Sequence, residues 1–573
     1  MPNFYKDNDD IQFHFKNMDL NWIIDLKENN FEDKGKFNYA PKNKEDAKDS
    51  YNRILDIAGD ISGNIIEPKA AEADEEGAHF EKGKVSYAEA TQEAIDALTK
   101  ADLMGFTLPR KYGGLNCPVT IYSIAIEIVS RAEAGLMNIF GLQDIAETIN
   151  KFSEEDIKAQ FLPRFCSGEV TGSMALTEPD AGSDLQAVQL KAFQDEDGRW
   201  YLNGVKRFIT NGCGEISLVL ARSEEGTKDG RGLSMFLYER DDKMKIRRIE
   251  NKLGIHTSPT TELQFNNAPA ILIGKRKMGL IRYVMSLMNG ARLAIAAQAL
   301  GIAEAAYHEA NKYAEERIQF KKAIKEMIPV YEMLASMRMK IEAARTLLYE
   351  TARIVDIKDG LEHKIEKNPD IANELRSELK RYTNYAALFT PVCKAYNTEI
   401  ANQVAYDGIQ IHGGTGFMKE FNAERHYRDA RITNIYEGTT QLQVVAAIGG
   451  VINGTVMERI HEYDEEFDFS QTKELYKSVK EMSILLEKAI TYIKQKDNSD
   501  YQEYHSGRLV EMATNVITGY LMLRDASKSD RKKDVAKYFI EFAYPKTKMN
   551  CDIITNDTEY LLKTHENILD GKN

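Results

Sequence analysis

Residues 432–443 read ITNIYEGTTQLQ. Glu437 is a lone carboxylate between Tyr436 and Gly438, with two threonines close behind, and it reads equally as a turn residue or as a base set beside a ligand. Four other stretches carry the same double reading. In MALTEPDAGSD (174–184), Pro179 and Gly182 force a tight backbone. Thr177, Ser183 and the turn's N–H groups can cradle polar ligand edges, or the stretch is a plain helix-to-strand turn. In FITNG (208–212), Phe208 stacks on a flat ring or packs in a sheet core, and core is the better reading in isolation. In ERIQF (316–320), Arg317 complements a helix dipole or grips a phosphate with its fork. In QIHGGTGF (410–417), glycines without Cβ let something bulky approach, or they close a helix; a single His412 is usually structural.

The elements that must position these residues fall into four regions: 1–170, helical; 171–280, a small antiparallel β domain; 281–454, a helical bundle of four-helix type; and 455–573, a further helical extension. In the first, SYNRILDIAGDISGNII, YAEATQEAIDALTKADLMG and TIYSIAIEIVSRAEAG repeat apolar residues at helical spacing, and TLPRKYGG interrupts them. In the second, AVQLKAF, RWYLNG, VKRFIT, SLVLARS, LSMFLYER and TELQFNN are short β-forming runs. Asp197-Gly198, Asn203-Gly204 and Asn211-Gly212 punctuate them as hairpin or turn signals. In the third, ARLAIAAQALGIAEAAYHEANKYAEER is Ala-rich and suits close helix packing, and Val330, Leu334, Met337, Ile341, Ala344 and Leu348 share one face. KDGLEHKIEKNPDIANELRSELKR is expected to bulge into solvent. In the fourth, Leu475, Val479, Met482, Leu486 and Ile493 form one stripe and Leu509, Met512, Val516, Tyr520 and Leu523 another. Their polar faces mix both charge signs, which predicts packing on protein rather than on a membrane.

A formal charge of −14 excludes non-specific binding to nucleic acid or an anionic membrane surface. Five scattered cysteines without a CxxC pair argue against disulfides or a zinc site, fit a reducing compartment, and leave no metal assigned. The acidic N-terminus has no apolar core of a signal peptide, so a cytoplasmic protein is expected. No GxGxxG follows a strand and no Walker loop occurs, so neither a Rossmann nor a P-loop site is predicted.

Taken together and in this order, MALTEPDAGSD, FITNG, ERIQF, QIHGGTGF and IYEGTTQLQ resemble the acyl-CoA dehydrogenase family across about residues 50–450. The closest likeness is to its longer subgroup with an extra C-terminal helical domain. The resemblance implies FAD held between the β domain and the helical bundle, and oxidation of the Cα–Cβ bond of an acyl-CoA. Glu437 aligns with the carboxylate that removes the α-proton while flavin N5 takes the β-hydride. A dried site would strengthen that base, and Gly438 would leave room for the thioester and offer an oxyanion-type N–H. By the same alignment Met174, Leu176 and Thr177 line the isoalloxazine, with Phe208, Ile209 and Thr210 packing on it. Arg317, Gln319, Gln410 and Gly414 reach the FAD of a neighbouring subunit, and Thr439 and Gln441 make further FAD contacts. Ser183, Asn289, Arg292 and Gly438 meet the acyl-CoA. The depth of its pocket is expected to depend on how the helices around Gly141, Leu142 and Gln143 pack. The resemblance also implies a homodimer or homotetramer and electron-transfer flavoprotein as electron acceptor.

This sequence departs from the family at three places. Phe208 stands where many members have Trp, Asn289 where many have Asp, and Ala291 where some members place their base, which leaves Glu437 as the candidate. Three rivals share the fold: an acyl-CoA oxidase that passes electrons to oxygen, a flavin monooxygenase, which normally lacks the glutamate that stands here as Glu437, and a non-catalytic scaffold, for which the glycines and the base would serve no purpose.

Overall fold

Asn43 opens the first long helix, Lys44–Ile61, by accepting the Asp46 amide at 2.9 Å, and Glu45 and Asp46 load its first turn with negative charge. In the computed structural model, which describes residues 1–141 and 143–570 but not the side chain of Gln143, Tyr51, Leu55 and Ala58 line that helix's buried face. Helices at Glu89–Lys100 and Val119–Ala132 follow the predicted periodicity. The break between them contains two 3-10 turns, Leu103–Gly105 and Arg110–Tyr112, the second ended by Gly113 at φ +92°. Arg110 is itself buried and forks onto Glu28 of the N-terminal segment at 2.7 and 2.9 Å.

Seven strands come next: β1 (Gly172–Ala175), β2 (Lys191–Gln194), β3 (Trp200–Thr210), β4 (Ile216–Arg222), β5 (Leu233–Glu239), β6 (Met244–Ile249) and β7 (Thr260–Ile273). β4 pairs with β2 and β5, β5 with β7, β7 with β3, and β3 with β2, so the sheet closes on itself; β1 adds to β4 and β6 to β7. Most pairings are antiparallel as expected, but β1–β4 and β2–β4 are parallel. β4 is buried at every position, which is why SLVLARS reads as an almost unbroken apolar run.

One turn signal is overturned. RWYLNG and VKRFIT form the single strand β3, and Asn203-Gly204 lies inside it at a slip of register between Leu202 and Asn203. Gly204 adopts φ +143°, and a Cβ there would come within 3.1 Å of the Leu190 backbone. The glycine serves close approach, not a hairpin. Asn211-Gly212 does turn the chain, with Asn211 at φ +51°.

The chain divides into two compact units, Met1–Glu326 with Ala401–Glu437, and Met327–Ile400 with Gly438–Asn573. In the first, the Ala-rich helix Met285–Glu316 packs on Val119–Ala132 and on Ala423–Thr433. Small residues make this possible: a Cβ on Gly301 would lie 2.5 Å from the Glu127 carbonyl oxygen. In the second, the charged stretch near 358–381 lies largely exposed as expected, but it is helical and not irregular. Helix Ile328–Lys367 runs through its first half, a short turn at Asn368-Pro369 follows, and helix Ala372–His412 takes up the rest. Charges on outward faces and a Pro at a helix start are compatible with helix, and the polarity of the stretch hid that.

The extension folds as Thr455–Glu466, Lys473–Lys496, Ser499–Ala526, Asp530–Thr555 and Tyr560–Leu569. Its two predicted stripes are buried, Leu475 only partly. Ion pairs fasten it to helix Ile328–Lys367. Glu350 meets Arg459 at 3.1 Å and Arg524 at 3.0 Å, besides Arg353 on its own helix at 3.1 Å. Glu342 meets Arg531 and Lys532, each at 2.7 Å. Among the described residues no single helix is long and apolar enough to cross a membrane.

Candidate functional site

Helix Ala423–Thr433 stops because the Ile435 and Tyr436 amides both fold back onto the Ile432 carbonyl, at 2.9 and 3.1 Å. The chain then enters the left-handed region twice in succession, at Glu437 (φ +53°) and Gly438 (φ +92°). Glycine tolerates this freely and glutamate does not; a non-glycine residue held there costs about 1–3 kcal/mol and points to a functional constraint. A Cβ at Gly438 would also collide with Gln443 Nε2 at 2.7 Å. The Gly438 carbonyl accepts Lys394 Nζ at 2.6 Å and Gln443 Nε2 at 2.9 Å.

Glu437 is half-buried, and Arg292 is its electrostatic partner. Arg292 is buried near the start of helix Met285–Glu316. Burial pushes its guanidinium down from the ordinary arginine value, and the charge of Glu437 works the other way. Arg292 Nη1 donates to Asn289 Oδ1 at 3.1 Å, while its Nε has no hydrogen-bond partner. Asn289, Arg292 and Glu437 are thus brought together, and one buried donor among them is left for a polar ligand. Ser183 lies exposed on its turn. Leu142, named for pocket depth, lies outside the described residues.

The MALTEPDAGSD turn is fixed from beneath by strand β3. Lys206 is wholly buried, and its Nζ donates to the Leu176 carbonyl at 2.7 Å and to Glu178 Oε1 at 2.9 Å. Burial pushes this ammonium down to about 8, against the pull of Glu178. The Arg207 amide donates to the Thr177 carbonyl at 2.9 Å, and Glu178 accepts the Gln189 and Leu190 amides at 2.7 and 2.9 Å. Two residues past Lys206 the strand bulges. Its register slips between Lys206 and Ile209, and Phe208 stands out at φ +60° with 52% of its surface exposed. The sheet-core reading of Phe208 therefore fails. Its ring carries the Arg207 guanidinium, 4.6 Å from the centroid. Met174, Thr177 and Thr210 are half-buried, whereas the side chains of Leu176 and Ile209 belong to the apolar cores and leave only backbone for a ligand.

ERIQF and QIHGGTGF meet at Tyr313. The Arg317 amide donates to the Tyr313 carbonyl at 2.9 Å, the His412 ring stacks on Tyr313 at 4.4 Å, and Thr415 Oγ1 donates to the Tyr313 hydroxyl at 3.1 Å. Arg317, Gln319 and Gln410 are exposed, and a Cβ on Gly413 or Gly414 would meet nothing within 4 Å. The exposed Phe208 ring, the exposed Arg317 guanidinium and the open glycine backbone are groups of the kind that suit a flat ring joined to a diphosphate. In the second unit the Thr439 hydroxyl caps helix Thr440–Ile452 by accepting the Leu442 amide, and Gln441 is exposed. Sequence reading missed Lys206, although a lysine at an inward position of an alternating strand was a legible signal. Gln298 and Asn138, which meet the Tyr436 hydroxyl, gave none.

Four family models match in chain order. They are the acyl-CoA dehydrogenase N-terminal domain over residues 49–169, the middle domain over 173–268, the C-terminal domain over 281–448, and the acyl-CoA dehydrogenase C terminal over 452–558. The 3-methylmercaptopropionyl-CoA dehydrogenase of Ruegeria pomeroyi is 33% identical, covering 70% of this chain and 70% of its own. The butyryl-CoA dehydrogenase structure from Megasphaera elsdenii is 32% identical with a TM-score of 0.60, over 70% of this chain and 98% of that one. A Bacillus anthracis acyl-CoA dehydrogenase solved with FAD, 23% identical, shares the fold over 88% of both chains with a TM-score of 0.74. The fold and matched domains define a flavoprotein oxidoreductase class that depends on FAD. This chain belongs to the acyl-CoA dehydrogenase family.

Proposed function

We propose that the chain dehydrogenates an acyl-CoA thioester to the trans-2-enoyl-CoA, with Glu437 removing the α-proton. The observation that carries this reading is the turn at 437–438, where a glutamate is held in a left-handed backbone with a buried arginine as its electrostatic partner. A thioester carbonyl acidifies the α-hydrogens, and a carboxylate held at a fixed place can take one of them. Arg292 would sit beside the acyl-CoA, its unpartnered Nε available to it. The Gly438 N–H would serve the thioester oxygen.

FAD, when bound, supplies the acceptor for the β-hydride. Thr177, Phe208 and Thr210 would hold its ring, and Thr439 and Gln441 would add contacts. Arg317, Gln319, Gln410 and Gly414, being exposed, would reach the dinucleotide of a neighbouring copy, so the working unit is a homodimer or a dimer of dimers. Electron-transfer flavoprotein is the proposed electron acceptor. Anaerobic bleaching of the flavin by short, long, branched, aromatic and dicarboxylic acyl-CoAs tests the reading, with Glu437→Gln as control. Near-normal bleaching in folded, flavin-loaded Glu437→Gln would overturn it. Oxygen consumption at the rate of turnover would favour the oxidase.

A further inference from the structure

The residue before Glu437 is tied down by a hydrogen-bond chain that the reaction itself does not require. The Tyr436 hydroxyl donates to Gln298 Oε1, on helix Met285–Glu316. Gln298 Nε2 donates to the Ala134 carbonyl at 2.8 Å and to Asn138 Oδ1 at 3.3 Å. Asn138 Nδ2 donates to Ser258 Oγ at 3.0 Å, and Ser258 Oγ donates to the Ile255 carbonyl at 3.4 Å. Gln298, Asn138 and Ser258 are buried. The backbone carbonyl of Ala134 can only accept, so the Gln298 amide nitrogen must face it and its oxygen must face Tyr436. Every bond in the chain then has one allowed direction.

Glu437, the next residue along, occupies a backbone conformation that a free chain disfavours, and strain of that kind persists only where the surroundings hold it. Tyr436 is half-buried, and its hydroxyl has two buried acceptors, Gln298 Oε1 and, at 3.3 Å, Asn138 Oδ1. We propose that Gln298, backed by Asn138, is a positioning residue for α-proton abstraction: it holds the Tyr436 hydroxyl and so fixes the left-handed turn that presents Glu437. Asn138 belongs to the short helix Met137–Phe140, directly before the segment named for acyl-pocket depth. This inference rests on Glu437 being the base.

The test reads proton abstraction without oxidation. An acyl-CoA with sulfur in place of its β-carbon keeps acidic α-hydrogens and has no β-hydride to give, so its α-deuterium uptake from D2O reports the base. Gln298→Met keeps the volume and removes both amide groups, and Tyr436→Phe removes only the hydroxyl. Each flavin-loaded variant is expected to slow exchange at saturation by about 10- to 100-fold, with binding of the analogue within about twofold of the parent. The double variant should be no slower than the slower single, because both remove one linkage. Amide exchange by mass spectrometry, which needs no turnover, should rise over residues 434–438.

Exchange within about twofold of the parent in Tyr436→Phe overturns the proposal, as do multiplicative losses in the double variant. So does a loss that merely tracks weaker analogue binding. If Gln298→Met does not fold, Tyr436→Phe decides alone. Unchanged exchange in Glu437→Gln would overturn the base reading beneath it, a different and separately visible result.

Discussion

Glu437 is half-buried on a turn of two left-handed residues, with the Arg292 guanidinium as its charge partner. Glu350 is wholly buried on a regular helix among Arg353, Arg459 and Arg524. The turn that carries the first carboxylate is held by hydrogen bonds on the residues to either side, from the Tyr436 hydroxyl and onto the Gly438 carbonyl. The second spends its oxygens on arginines and on the Tyr463 hydroxyl. The proposed role as base requires a carboxylate that can still accept a proton, which suits a restraint placed on the chain around it. A carboxylate that joins helices has no such need and is saturated with donors.

The largest expected effect breaks the second arrangement. Truncation after residue 454 removes Arg459, Arg524, Arg531 and Lys532 and leaves Glu350 and Glu342 short of most of their partners. Such a chain should be insoluble or aggregate, as read by soluble yield and light scattering. A monodisperse truncated protein would show that the extension does not complete the second unit. Next, Glu437→Gln should keep its FAD and lose about two to four orders of magnitude in turnover, with little change in melting temperature. The matching change in the other region, Arg459→Met, should do the reverse. It should cost about 3–5 kcal/mol, as breaking a buried pair does, while the per-flavin rate of protein that remains folded is unchanged.

Acid and base titration sharpen the contrast. Against burial, which works to raise it, Arg353, Arg459 and Arg524 hold the Glu350 carboxyl well below the usual range. Its contribution to stability is complete above the unfolded value of about 4.3 and is lost as pH falls below that. Asp429 of the first unit behaves oppositely. Burial, then the charges of Asp74 and Glu133, push it up to about 7, although it accepts the Ile255 amide at 2.6 Å. Its contribution is complete below about pH 3.9 and is lost as pH rises through about 7. Asp429→Asn should therefore flatten the fall in stability between these values and leave the acid limb in place, as followed by urea unfolding across pH. The smallest effect is at Thr439, where alanine should cost about 1 kcal/mol for the lost helix cap. A much larger loss of flavin than of stability in that variant would favour a direct cofactor role for the hydroxyl.

Much of the molecule was legible in local sequence. Helical periodicity located Lys44–Ile61, Val119–Ala132 and the two buried stripes of the extension, because a residue's place on a helix face is set by spacing alone. The order of the five motifs pointed to the family and to Glu437. The charged stretch before Tyr382 misled, since outward charges look alike on a loop and on a helix. Asn203-Gly204 misled for another reason. A glycine needed for close approach to Leu190 has the same letter as one needed for a turn. Phe208 could not be assigned from its own strand, because only the bulge in the pairing with β7 turns it outward.

The sequence by itself determined which residue types were available, where helices and strands would form and which carboxylate stood in the family's motif. Only the tertiary structure decided that Lys206 grips the Leu176 carbonyl, that Arg292 is charge-coupled to Glu437, and that Gln298, 138 positions away in sequence, holds Tyr436. Periodicity reports the face a residue occupies. It carries no record of which distant donor or acceptor the closed chain brings against that face, and here those partners surround the turn that carries Glu437.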